Sequence, residues 1–181
     1  HIAMLFAGST DGIYQIKDIN GSNTIETTKL HDTGEVFRIR QFEAIEGLFA
    51  TADSGLYYSE DGAEWTALPL PEEQVYAVTA SASGDLLYAG TRPAKIFVGE
   101  CDDGVPMDEA DWEEVSGFQQ LRAQRDWGIP RHDGVAQIRS LRTHPTADDR
   151  LVVGIEVGGI YVSDDRGQTW TERSIDGFDD V

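Results

Sequence analysis

Cysteine is almost missing from this chain. Cys101 stands alone, which excludes a disulfide framework and any zinc site built on paired thiolates. A lone thiol suits a reducing compartment, so a cytoplasmic location is expected. Long apolar runs are missing too: no stretch approaches the roughly 20 residues needed to span a bilayer. Leu5-Phe6-Ala7 is too short for a signal peptide before Gly8, Ser9, Thr10 and Asp11 interrupt it. Lysine is reduced to Lys17, Lys29 and Lys95. Helical periodicity is lacking as well, because no segment keeps apolar residues at helical spacing through three turns. A helical bundle and a membrane-spanning helix are both excluded.

Acid is abundant. Asp and Glu number 33 against 14 Lys plus Arg, a formal charge of −19 over 181 residues. So much like charge opposes compaction unless salt screens it, which suits a protein of a molar-salt, halophilic cytoplasm. The same field repels nucleic acid and anionic membranes, and neither is expected as a partner. His1-Ile2-Ala3 reads as the remnant of an expression tag, with Met4 as the natural start. Residues 4–181 are then long enough for one domain with a real core.

The strongest internal signal is a repeat. Leu5-Phe6-Ala7-Gly8 leads to Gly12-Ile13-Tyr14-Gln15, and Leu48-Phe49-Ala50-Thr51 to Gly55-Leu56-Tyr57-Tyr58. Leu87-Tyr88-Ala89-Gly90 leads to Lys95-Ile96-Phe97-Val98, and Val152-Val153-Gly154-Ile155 to Gly159-Ile160-Tyr161-Val162. Each pair is a short apolar strand, a turn and a second strand. The step from Ile13 to Leu56 is 43 residues and that from Leu56 to Ile96 is 40, which suits one four-stranded propeller blade each. The step from Ile96 to Ile160 is 64, a blade plus an insert.

Further strands are expected around these pairs. Val36–Phe42, Val75–Ala80 and Ile138–His144 precede the second, third and fourth pairs as innermost strands. Thr24–Leu30, Trp65–Leu68, Trp112–Val115 and Trp170–Arg173 follow the four pairs as outer strands. The expected fold is all-β: a β-propeller of four-stranded antiparallel blades, about four in this chain, the first without its innermost strand. Such a chain is either part of a longer propeller or a unit that copies of itself complete, so a homo-oligomer closing the ring is a candidate partner.

Two segments share a turn pattern. Ser163-Asp164-Asp165-Arg166-Gly167-Gln168-Thr169-Trp170 reads Ser-x-Asp-x-Gly-x-Thr-Trp, and Ser59-Glu60-Asp61-Gly62-Ala63-Glu64-Trp65 is one residue shorter. Ser and Asp side chains at this spacing bond the turn backbone, Gly takes up a positive φ, and Trp buries a ring between blades. Ser59, Asp61, Gly62, Trp65, Ser163, Asp165, Gly167 and Trp170 are therefore expected to be structural. With these residues the chain resembles the Asp-box (bacterial neuraminidase repeat) propellers, from Met4 to Val181. That superfamily includes sialidases, xyloglucanases, sortilin-type receptors and a plant photosystem stability factor. Nearest in pattern is an archaeal and bacterial group labelled glycosyl hydrolase. The resemblance implies a propeller fold without implying one activity.

The sialidase signature Arg-Ile-Pro has no counterpart, since Gly128 precedes Ile129-Pro130 here. No carboxylate pair stands out from so many acids, and the catalytic residues stay unknown. The insert, at about residues 99–134, and the strand after it hold Arg122, Arg125, Arg131, Arg139 and Arg142 with only Asp126 and Asp133 between Val115 and Ala147. Guanidinium forks bind carboxylate and phosphate bidentately. Arg131, His132, Arg139, Trp127 and Arg125 are thus the candidate ligand residues, for a small anionic ligand, a carbohydrate or a protein partner. Asp102, Asp103 and Asp108 lack the spacing of a calcium loop, and His144 before Pro145 reads as a turn residue; no metal and no cofactor are expected. The expected function is a non-enzymatic binding or scaffold module. The alternative is a glycoside hydrolase whose catalytic residues lie partly outside this chain.

Overall fold

A computed structural model describes residues 4–18, 25–127 and 133–173. Four antiparallel sheets follow one another along the chain. β1 (Leu5–Gly8), β2 (Gly12–Asp18) and β3 (Ile25–Asp32) form the first, in that order. β4 (Val36–Phe42), β5 (Ile45–Ala52), β6 (Gly55–Ser59) and β7 (Thr66–Leu68) form the second. β8 (Gln74–Ala80), β9 (Leu86–Arg92), β10 (Ile96–Glu100) and β11 (Trp112–Glu114) form the third. β12 (Ile138–Thr143), β13 (Leu151–Ile155), β14 (Gly159–Ser163) and β15 (Thr171–Arg173) form the fourth. This is the all-β, partial β-propeller expected from the repeat, with three strands in the first blade and four in the others.

Each blade buries one face on its neighbour. Ile13 of β2 packs with Ala50, Tyr57 and Trp65 of the second blade. Phe49 and Leu56 meet Val75, Val78 and Leu87 across the next junction. Tyr88 and Ile96 meet Leu141, Leu151, Val153 and Tyr161 across the third. The inner strands stack in series, β4 on β1, β8 on β4 and β5, and β12 on β8 and β9. Among the described residues no packing of similar extent returns the fourth blade to the first, so the blades form an open arc.

The glycine that closes the first segment of two of the pairs, Gly8 and Gly90, has a steric cause. A Cβ on Gly8 would lie 2.4 Å from Val36 Cγ1, and one on Gly90 would lie 2.6 Å from Ile138 Cγ2. These glycines let the inner strand of the next blade approach closely.

The insert departs from the loop expected there. A single 3₁₀ turn at Glu109–Asp111 leads into β11, and an eight-residue helix, α1 (Ser116–Ala123), follows. Only Gly117, Phe118 and Leu121 of α1 are buried. Its apolar stripe spans one turn, too short to register as a helical period in the sequence. The helix caps the junction of the third and fourth blades, where Phe118 joins their common core.

Among the described residues, Tyr88, Trp112 and Thr51 each bury a polar side-chain atom without a hydrogen-bond partner. Tyr88 is 1% exposed, its hydroxyl has no hydrogen-bond partner among the described residues, and burial raises the phenol to about 12. Tyr88→Phe removes that group without changing the ring, and is expected to raise stability by about 1 kcal/mol. A urea titration of the two proteins reads this; destabilisation by the variant would mean that the hydroxyl is satisfied in solution.

Candidate functional site

The two Ser-x-Asp turns come first, because they decide what is free to function. In the second blade, Ser59 Oγ accepts from Gly62 N at 2.7 Å, and Asp61 Oδ1 accepts from Ala63 N at 2.8 Å and Glu64 N at 3.1 Å. Trp65 Nε1 donates to Gly62 O at 2.9 Å. In the fourth blade, Ser163 Oγ accepts from Gly167 N at 2.8 Å while Asp165 accepts from Thr169 N at 2.8 Å. Trp170 Nε1 donates to Gly167 O at 2.8 Å. Gly62 and Gly167 take φ of 82° and 86°. Every motif side chain is spent on its own turn.

The same bonds set the titration of these acids. Hydrogen bonds from Thr169 hold Asp165 below the usual carboxylate range, and those from Glu64 and Ala63 do so for Asp61. A folded-state pKa below the unfolded one contributes stability that is present above the unfolded value, near 4. That contribution fades as pH falls through the folded value. Asp165→Asn should therefore flatten the acid limb of the thermal-stability profile below about pH 4. An unchanged limb would show that the turn bonds do not depend on the carboxylate charge.

Two further carboxyls are held low as well. Asp11 falls to about 2 through hydrogen bonds from Ser9, Lys29 and Tyr14, and Asp148 is lowered by Ser83. A general acid working near neutrality needs its pKa displaced upward. Each carboxyl in the described residues with a resolved displacement moves down.

Cations instead collect on the inner strands. Alternation along β4 puts Arg38 and Arg40 on one face and Ile39, which packs on the core between the first two blades, on the other. Arg40 donates to Val78 O at 3.3 Å and lies over the Phe42 ring. Its pKa is lowered by burial first, and then by the like charges of Arg142 and Arg38. Arg142 comes from β12, two sheets away, and donates to its neighbour's Leu141 O at 2.9 Å. Among the described residues Arg38, Arg40 and Arg142 form no ion pair, although acids outnumber bases more than twofold.

A cleft of about 240 Å³ opens beside them. Glu35, Phe37, Arg38, Tyr76 and Arg139 line it, and the rings of Phe37 and Tyr76 stack at 4.2 Å and 11°. Three bulges shape this wall. The β4–β5 register slips between Val36 and Arg38, the β8–β9 register between Val75 and Ala77, and the β12–β13 register between Ile138 and Ser140, so Phe37, Tyr76 and Arg139 each stand as the extra residue. Arg139 is 4.0 Å from Glu156 and 67% exposed.

The structure separates the ligand residues expected from the insert. Arg139 stands in the inner cleft. Trp127 is buried instead, stacked on Phe118 at 5.6 Å and donating Nε1 to Tyr161 Oη at 3.3 Å. Arg125 lies over the Tyr161 ring and 3.5 Å from Glu172 of the outer strand. Arg131 and His132 lie outside the described residues. His144 is a turn residue, its N donating to Arg150 O and its Nδ1 accepting from Thr146 N at 3.2 Å. Among the described residues no three His, Cys, Asp or Glu side chains are grouped to hold a metal ion.

Sequence reasoning missed Arg38 and Arg40. The signal was present: Arg-x-Arg alternation within an innermost strand, in a chain that spends cations sparingly.

No protein-family model matches the chain, and no curated protein matches it in sequence. Solved structures do. The GH74 xyloglucanase from Xanthomonas campestris aligns with a TM-score of 0.68 at 17% identity, over 95% of this chain and 29% of that one. An ancestral GH74 enzyme gives 0.55 at 15% identity, over 85% and 20%. U3-55K gives 0.58 at 10% identity, over 96% and 50%. The chain thus spans between a fifth and a half of the length of these structures. At such identities the likeness speaks for architecture, and the chain is a four-blade arc of a β-propeller.

Proposed function

We propose that this chain is a non-enzymatic binding module of the Asp-box propeller type, holding an anionic ligand or an acidic partner group on the inner strands of its arc. One observation carries the reading: among the described residues Arg38, Arg40 and Arg142 form no ion pair on the inner strands, in a protein of charge −19. Gathering like charges there costs free energy, and an anion offsets that cost. The acid surface supports the same assignment, because it leaves the inner arginines as the place where an anion is attracted.

Thermal denaturation at constant ionic strength tests this. A bound anion raises the midpoint by mass action, equivalent to about 2.7 kcal/mol at a hundred times its Kd. Carboxylates or phosphonates should stabilise the wild-type chain and leave an Arg38→Gln/Arg142→Gln double variant unmoved. Equal shifts in both proteins would refute the reading.

The second reading is a glycoside hydrolase, favoured by the likeness to GH74 enzymes. It requires two carboxylates across a sugar-binding cleft, and among the described residues Glu100, Asp111 and Glu113 line one cleft of about 310 Å³. Hydrolysis of xyloglucan or of an aryl glycoside by this chain would establish that reading and displace the first.

A further inference from the structure

The inner arginines are arranged in two levels. Arg38 and Arg139 border the cleft beside the Phe37–Tyr76 stack. Arg40 stands two residues further along the same strand, less exposed than Arg38 and outside the lining of the cleft, bonded to Val78 O and within reach of the charge of Arg142. Two residues along a strand correspond to about 6–7 Å. We infer that the site takes a small molecule carrying two anionic groups, carboxylates or phosphates, about 6–7 Å apart, one on each arginine level. This rests on the binding reading above and adds the class of ligand.

Three features carry it. Arg38 and Arg40 project from one face of a rigid strand, so their spacing is set by the backbone rather than by a loop. The cleft of about 240 Å³ is the size of a metabolite; water takes roughly 30 Å³ per molecule, so it holds several waters' worth of ligand and no folded segment. Glu35 stands on the same wall. It repels a third anionic group, which disfavours a polyphosphate or nucleic acid backbone. The stacked Phe37 and Tyr76 rings offer an apolar surface for the carbon skeleton between the two groups.

Calorimetric titration at fixed ionic strength tests the proposal with matched pairs. Adipate and butane-1,4-bisphosphonate carry two groups able to reach the span; pentanoate and butylphosphonate carry one. The two-headed anions should bind at least tenfold more tightly than their one-headed partners. The preference for adipate or for the bisphosphonate identifies the ligand as a carboxylate or a phosphate. Arg38→Gln should reduce two-headed binding about tenfold, to the one-headed level. Arg38 is exposed and forms no ion pair among the described residues, so this variant is expected to keep its fold. Arg150→Gln, whose side chain pairs with Asp164 elsewhere, is expected to bind as the wild type does. Equal affinity for one-headed and two-headed anions, both lowered by Arg38→Gln, would overturn the two-level inference and leave the binding reading standing. No binding of any of the four would overturn both.

Discussion

Replacing Trp65 by alanine is expected to destabilise the protein by about 3–5 kcal/mol, measured by urea denaturation. The indole is 7% exposed and belongs to the core that joins the first and second blades, with Ile13, Ala50 and Tyr57. It also holds its own turn, through Nε1 to Gly62 O. That turn touches the first blade as well, since Phe6 lies against Gly62, where a Cβ would come within 2.3 Å of its ring. Truncation therefore opens a cavity and loosens the turn on which Phe6 rests. Trp65→Phe separates these effects: it keeps most of the buried ring and loses one hydrogen bond, at about 1 kcal/mol. A cost below 1 kcal/mol for Trp65→Ala would mean that the first blade is not held through this ring.

Phe118→Ala should cost a similar amount, about 3–5 kcal/mol. Phe118 is fully buried, stacked on Trp127 and edge-on to Trp170 at 5.7 Å, so it ties the insert to the turn of the fourth blade. Its helix sits where only glycine allows. A Cβ on Gly117 would be 2.1 Å from Gln168 O and 2.2 Å from Gly167 O, and these are backbone atoms that cannot turn aside. Gly117→Ala is thus expected to push α1 off the turn at about 1–3 kcal/mol, without opening a cavity. Native tryptophan fluorescence, to which Trp127 and Trp170 contribute beside Trp65 and Trp112, should change in both variants. If Phe118→Ala unfolds with the wild-type midpoint, α1 is not part of the cooperative core.

Much of the blade architecture was legible before any coordinates. The pair Leu87–Gly90 and Lys95–Val98 became β9 and β10; the second and fourth pairs likewise became the middle strands of their sheets, and the first became β1 and β2, with β1 at the edge. Those positions are written by local rules: strand alternation, glycine at positive φ, and a turn whose Ser and Asp side chains bond within the turn. The helix α1 escaped notice because three buried residues in eight make no sustained period.

The candidate site was less legible. Trp127 and Arg125 adjoin the arginine-rich stretch in sequence, yet Trp127 is drawn into the core by Phe118 and Tyr161, and Arg125 is drawn to Glu172. Arg40 and Arg142 are a hundred residues apart and belong to different blades, yet their charges oppose each other across the inner side of the arc. Nothing in either strand alone announces the other.

The sequence by itself determined the all-β class, the blade repeat and the structural role of both turns, because each rests on contacts within one hairpin or between successive strands. Only the tertiary structure decided which cations meet. Strands β4 and β12 are brought together by the face-to-face stacking of blades, and that stacking depends on the shape of every junction between them. Charges so far apart along a chain become neighbours through packing, and packing carries no periodic signature in the residues that end up facing one another.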